Sequence, residues 1–123
     1  MLGDNEVMAT VAVKNLSAAR KFYEGKLGLK VVHTEGDQAV AFKSGTSQLL
    51  VYQSQFAGTN KATAATWMVK DVESLVKELK AKGVAFEHYN LPGLTLKGDV
   101  HVAGPRKNAW FKDPDGNILA LVE

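Results

Sequence analysis

The chain has 123 residues, 46% apolar and 23% charged, which suits one globular domain with a packed core. Its formal net charge of +2 is too small to imply a nucleic-acid or membrane partner. It has no cysteine, which excludes disulfides, thiolate metal ligands and a cysteine nucleophile.

No apolar run reaches the roughly 18 residues that a membrane span needs. Met1 to Glu6 carries Asp4 and Glu6 and lacks the basic and apolar regions of a secretory signal, so a cytoplasmic protein is expected. Glu6 to Val13 is short and β-branched and predicts a strand. Asn15 can cap a helix whose apolar face is Leu16, Ala19, Phe22, Tyr23 and Leu27, and Gly28 stops it. Lys30–Thr34 and Gln38–Lys43 flank a Glu35-Gly36-Asp37 turn and predict a hairpin, and Gln48–Gln53 a fourth strand.

Residues 55–62 are polar and read as a linker, after which the order repeats. Thr63–Val69 predicts a strand. Asp71 caps a helix with the face Val72, Leu75, Val76 and Leu79, and Gly83 ends it. Val84–His88, Asn108–Lys112 and Ile118–Val122 predict three more strands, and Asp113-Pro114-Asp115-Gly116 a turn. Val13-Lys14-Asn15-Leu16 matches Val69-Lys70-Asp71-Val72 between the halves. The predicted fold is therefore α+β: one domain over 1–123, with a βαβββ module at about 6–54 and a second at about 63–123. The two form a cupped mixed sheet with helices on the convex face. The second half is longer by the segment Leu91–Lys107, rich in Gly and Pro, which reads as a lid, a binding loop or a surface excursion.

Strand alternation sorts the side chains. Val7, Ala9, Val11 and Val13 should pack under the first helix, and Met8, Thr10 and Ala12 should face the concave side. Ala65, Trp67 and Val69 should join the helix side, and Ala64, Thr66 and Met68 the concave side.

Val13-Lys14-Asn15-Leu16 with Phe22-Tyr23, Leu27-Gly28-Leu29 and Asp113-Pro114-Asp115-Gly116-Asn117 together resemble the vicinal-oxygen-chelate, or glyoxalase/bleomycin-resistance/dioxygenase, superfamily over essentially the whole chain. That family usually holds a divalent metal on four inward strand positions bearing His, Glu or Gln. Counted from Asn15, Asp71 and Asp113, and placed in the strand closing the first half, the resemblance puts those positions at Met8, Ala64, Ala120 and Leu50. None suits a hard or borderline cation, so no metal and no other cofactor is expected. The family's shared mechanism needs that Lewis acid. The resemblance also implies a homodimer, since relatives commonly complete the cup from two chains.

What remains is a cup lined by Met8, Thr10, Leu50, Tyr52, Thr66, Met68, Trp110 and Ala120, apolar with a few polar groups, which suits a small-molecule ligand. The same side chains could instead pack against one another or a partner subunit. Trp110 could stack on a planar ligand; Trp67 should lie in the core. Of His33, His88 and His101, none has a second ligand at metal spacing in its own element. Asp99 lies two residues from His101 on one side of an extended segment and could pair with it for acid–base work. Glu73 and Lys77 have the i,i+4 spacing of an exposed ion pair. There is no nucleophile motif or phosphate loop.

The leading expectation is a metal-free binding protein of the bleomycin-resistance type, with no nucleic-acid or membrane partner. A metal-independent lyase or isomerase using His101 and Asp99, or Tyr52, is the second. A non-catalytic dimerisation domain is the third.

Overall fold

The computed structural model describes Met1–Glu123, and its first module opens with strand β1 (Ala9–Val13). Helix α1 (Leu16–Arg20) follows and widens into a π-helical stretch at Lys21–Lys26. Strands β2 (Lys30–Glu35), β3 (Ala39–Ser44) and β4 (Ser47–Gln53) complete the module. The second module contains β5 (Thr63–Met68), α2 (Val72–Ala81), β6 (Phe86–Glu87), β7 (Thr95–Lys97), β8 (Val100–Ala103), β9 (Arg106–Lys112) and β10 (Ile118–Val122). The first sheet has the order β1-β4-β3-β2 and the second β5-β10-β9-β8-β7, with β6 as its sixth strand paired to β9. Both are mixed: β1 runs parallel to β4 and β5 to β10, while the other pairs are antiparallel. No helix is long and apolar enough to cross a membrane.

The helix caps act as their residue types dictate. Asn15 Oδ1 accepts from the Ala18 N–H at 2.9 Å, and Asp71 Oδ1 from the Ser74 N–H at 3.0 Å, each satisfying a backbone donor that has no intrahelical partner. α2 buries Val72, Val76 and Leu79, one apolar stripe at helical spacing. In the first helix the Leu27 N–H donates to the Phe22 carbonyl, five residues back, at 3.0 Å. In this widened stretch the consecutive residues Phe22 and Tyr23 are both buried.

The two helices share one core. Val11, Val13, Phe42 and Val51 from the first module are continuous with Val72, Phe111, Leu119 and Leu121 from the second. Phe111 is the hub: its ring lies 6.3 Å from Phe22, 6.4 Å from Trp67 and 5.5 Å from Phe86. Trp67 packs against this core, as the alternation predicts, and its Nε1 donates to Ser44 Oγ at 2.9 Å.

Four local expectations need correction. Val7 is 93% exposed, because β1 begins only at Ala9. The predicted strand Val84–His88 contracts to Phe86–Glu87. Leu91–Lys107 is neither a lid nor an irregular excursion: β7 and β8 form a hairpin that pairs onto β9 and widens the second sheet. Its two-residue loop is Gly98-Asp99, with Gly98 at φ +62°, the left-handed first position of a type II′ turn. Finally, Glu73 pairs with Lys107 Nζ across to β9 at 2.9 Å and not with Lys77.

The modules are joined where the Asp113–Asn117 turn meets α1 and β1. Asp113 Oδ2 accepts from the Tyr23 hydroxyl and from Asn117 Nδ2, each at 2.8 Å, and Asn117 Nδ2 also donates to the Ala12 carbonyl at 2.7 Å. Asp113 Oδ1 accepts from the Asp115 and Asn117 N–H groups, both at 2.9 Å. Burial, followed by the Asp113 charge and hydrogen bond, pushes the Tyr23 phenol far above its usual range. Gly58 of the linker lies against this turn: a Cβ there would sit 2.1 Å from the Asp115 carbonyl oxygen.

Candidate functional site

The concave face follows from strand register. Thr10 opposes Leu50, Ala12 opposes Tyr52, Thr66 opposes Ala120, and Trp110 opposes Ala120 from the other side. Because neighbours alternate between faces, the partners Val11, Val51, Leu119 and Phe111 are buried under the helices. Thr10, Leu50, Tyr52, Thr66, Trp110 and Ala120 therefore occupy one side of the two sheets.

They do not line a single pocket. Thr10 and Tyr52 share a recess of about 360 Å³ with Ala64 and with Phe56 and Asn60 of the linker. Trp110 lines a second recess of about 250 Å³ with Tyr89, Leu91 and Ile118. Met8 stands apart, beside Gln48 and Thr46. Ala120 is 2% exposed and closes the floor, whereas Met68 is 79% exposed. The linker residues Phe56 and Asn60 were not legible as lining, because their polar neighbours read only as a connection.

Asp99 and His101 are not brought together. Asp99 accepts from Lys80 Nζ at 2.6 Å and lies 2.7 Å from His88 Nε2. The Lys80 hydrogen bond first, and then the His88 one, hold its carboxyl below the usual carboxylate range. His101 is 0% exposed and sits opposite Asn108 on the concave side. Its Nε2 accepts from the Tyr89 N–H at 2.9 Å. That nitrogen must present a lone pair, so the ring proton of the neutral imidazole resides on Nδ1. Around it lie Trp110, edge-on at 4.8 Å between ring centroids, and Tyr89, stacked at 6.2 Å.

Three buried polar atoms of this cluster have no protein partner: His101 Nδ1, Asn108 Oδ1 and the Tyr89 hydroxyl. A buried polar group left unpaired costs about 1–3 kcal/mol, so three together mark a place where a further polar group belongs. Burial foremost, and the nearby Glu87 carboxylate next, raise the Tyr89 phenol above its usual value, with Lys112 opposing.

The donor set at the four positions that the family resemblance assigns does not fit a divalent metal, and Met8, which precedes β1, is not on the concave face with the other three. Met8, Leu50, Ala64 and Ala120 offer hydrocarbon and one thioether. Nowhere in the chain do three His, Asp or Glu side chains gather as a metal site would require.

A glyoxalase/bleomycin resistance protein/dioxygenase superfamily model matches residues 6–121. The chain belongs to that superfamily. Its fold is similar to a glyoxalase family protein from Enterococcus faecalis, with 22% identity, a TM-score of 0.75 and all of both chains covered. It is also similar to a lactoylglutathione lyase from Agrobacterium tumefaciens, with 20% identity and a TM-score of 0.74 over 97% of this chain and 92% of that one. A fosfomycin resistance protein from Listeria monocytogenes matches at 14% identity and a TM-score of 0.71 over 96% of this chain and 91% of that one.

Proposed function

We propose that this protein binds a small organic molecule on its concave face without a metal ion. One observation carries the reading: the concave face presents Leu50, Ala64 and Ala120, while Thr10, Tyr52 and Trp110 line recesses of about 360 and 250 Å³ beside them. Apolar walls with a few polar groups select by shape and hydrogen bonding, and such binding needs no Lewis acid. The separation of Asp99 from His101 removes one of the two acid–base arrangements open to a metal-independent lyase or isomerase and leaves only Tyr52 for it, which favours binding over turnover.

The test is a thermal-shift and tryptophan-quenching screen of metabolite-sized compounds in the presence of EDTA. Saturable binding is expected, and Ala64→Trp with Ala62→Trp, which fill the Thr10–Tyr52 recess and the Trp110 recess respectively, should together abolish it. Hits that appear only after a divalent cation is added, or that survive the two filling substitutions together, would overturn the reading.

The reading includes a homodimer. Met68 and Val32 are apolar and well exposed on strands whose sheets cover only one face, and a second copy would remove them from water. Light scattering at micromolar concentration should return twice the 13.3 kDa chain mass; a monomer would remove the dimer from the reading.

A further inference from the structure

We infer that His101, Asn108 and Tyr89 form a recognition subsite for a neutral planar group carrying a hydrogen-bond acceptor beside a donor, an amide or lactam edge, with its ring held against Trp110. The inference rests on the binding function proposed above and names the chemistry of its ligand.

The argument starts from what each atom can do. His101 is fully buried, and because Nε2 is committed to the Tyr89 N–H, Nδ1 can only donate. Asn108 Oδ1 can only accept. The two residues are direct cross-strand partners of β8 and β9 and project from the same face, so a donor and an acceptor stand side by side. Both are without a protein partner, as is the Tyr89 hydroxyl. The complement of an adjacent donor and acceptor is an adjacent acceptor and donor, the edge that a carboxamide presents.

The surroundings restrict the ligand further. The cation that acts on Tyr89, Lys112, is already paired with Glu87 at 3.3 Å, so a carboxylate would meet the Asn108 Oδ1 acceptor with no free charge to offset its own. Tyr89 and Trp110 approach edge to face at 5.4 Å and line the same recess of about 250 Å³. That space accepts one flat ring. Neither His101 nor Asn108 lines that recess; the Tyr89 ring does and stacks on His101, so rotation of that ring would open the recess toward Nδ1. Only the Tyr89 side chain need turn, so its main-chain N–H keeps the bond to His101 Nε2 that fixes the ring proton on Nδ1.

Three probes of nearly equal shape separate the possibilities: benzamide carries acceptor and donor, benzoate carries only acceptors and a charge, and toluene carries neither. Affinities are read by ligand-observed NMR, and the His101 ring by ¹H–¹⁵N correlation of its imidazole. Benzamide should bind about tenfold or more tightly than either isostere and shift the His101 Nδ1–H resonance. His101→Phe and Asn108→Leu, each checked for native circular dichroism, should erase the preference for benzamide over toluene while leaving toluene's affinity within about threefold. If His101→Phe does not fold, Asn108→Leu and the imidazole spectrum of the unaltered protein decide. Equal binding of benzamide and toluene overturns the subsite. So does a preference that survives Asn108→Leu, or a buried water at Nδ1 that benzamide fails to displace. If the subsite fails while Ala64→Trp still abolishes hits held in the Thr10–Tyr52 recess, that recess remains a binding site and only this assignment falls. Loss of both sinks the underlying function.

Discussion

The Tyr23 hydroxyl donates a 2.8 Å hydrogen bond to Asp113 Oδ2 across 90 residues of chain, fastening the π-helical stretch after α1 of the first module to the terminal turn of the second. The carboxylate is buried and accepts three further bonds, from Asn117 Nδ2 and two backbone N–H groups. Tyr23→Phe removes one charge-assisted bond and should cost about 1.5–3 kcal/mol in urea denaturation. Asp113→Ala strands every donor of the turn and should cost more than Tyr23→Phe. Equal stability of Tyr23→Phe and the parent would show that the bond contributes nothing.

Gly58 is required for two reasons at once. Its φ is +73°, and a Cβ would lie 2.1 Å from the Asp115 carbonyl oxygen, which is backbone and cannot swing away. The left-handed strain alone is worth about 1–2 kcal/mol, so Gly58→Ala should exceed that and displace the linker from the Asp113–Asn117 turn. Thermal denaturation, with amide shifts of Asp115 and Asn117 by NMR, measures both effects.

Asp99 ties the β7–β8 hairpin to Lys80 of α2 and to His88. Its folded pKa is lowered, so its contribution is present above the unfolded value of 3.8 and is lost as pH falls through the still lower folded value. Asp99→Asn should therefore be less stable than the parent at neutral pH, by less than about 1 kcal/mol for a partly screened pair. The difference should vanish in strong acid. Paired urea titrations along a pH series test the sign: a gap that widens on acidification would contradict it.

Chelation should leave the fold untouched. A metal held at a hundredfold its dissociation constant would contribute about 2.7 kcal/mol and several degrees of melting temperature. Dialysis against EDTA should shift the melting temperature by less than a degree, an expectation of about zero linkage. A drop of several degrees would reveal a structural ion.

The modular fold was readable because it rests on local chemistry. Asn15 and Asp71 cap helices whose apolar stripes repeat, and alternation in β1 and β5 assigns Thr10 and Thr66 to one face and Val11 and Trp67 to the other. The β7–β8 hairpin was not recognised, because its strands are three and four residues long and sit between Pro92-Gly93 and Gly104-Pro105. The Gly98-Asp99 pair was the available signal. Two residues of spacing placed Asp99 beside His101, but Asp99 belongs to the hairpin turn and turns to α2. The full burial of His101, and its contact with Tyr89, depend on the hairpin and could not be inferred without it.

The hairpin also makes the bowl lopsided. One wall has four strands and the other six, although both descend from the same repeating plan. The unmet hydrogen-bonding capacity lies wholly in the taller wall, while the shorter offers mainly hydrocarbon with Thr10 and Tyr52. A guest would thus be gripped from one flank and merely sheltered by the other, and turning it end for end would forfeit its polar contacts. A ligand held on the concave face as proposed would have its orientation read, which neither half could do by mirroring its twin.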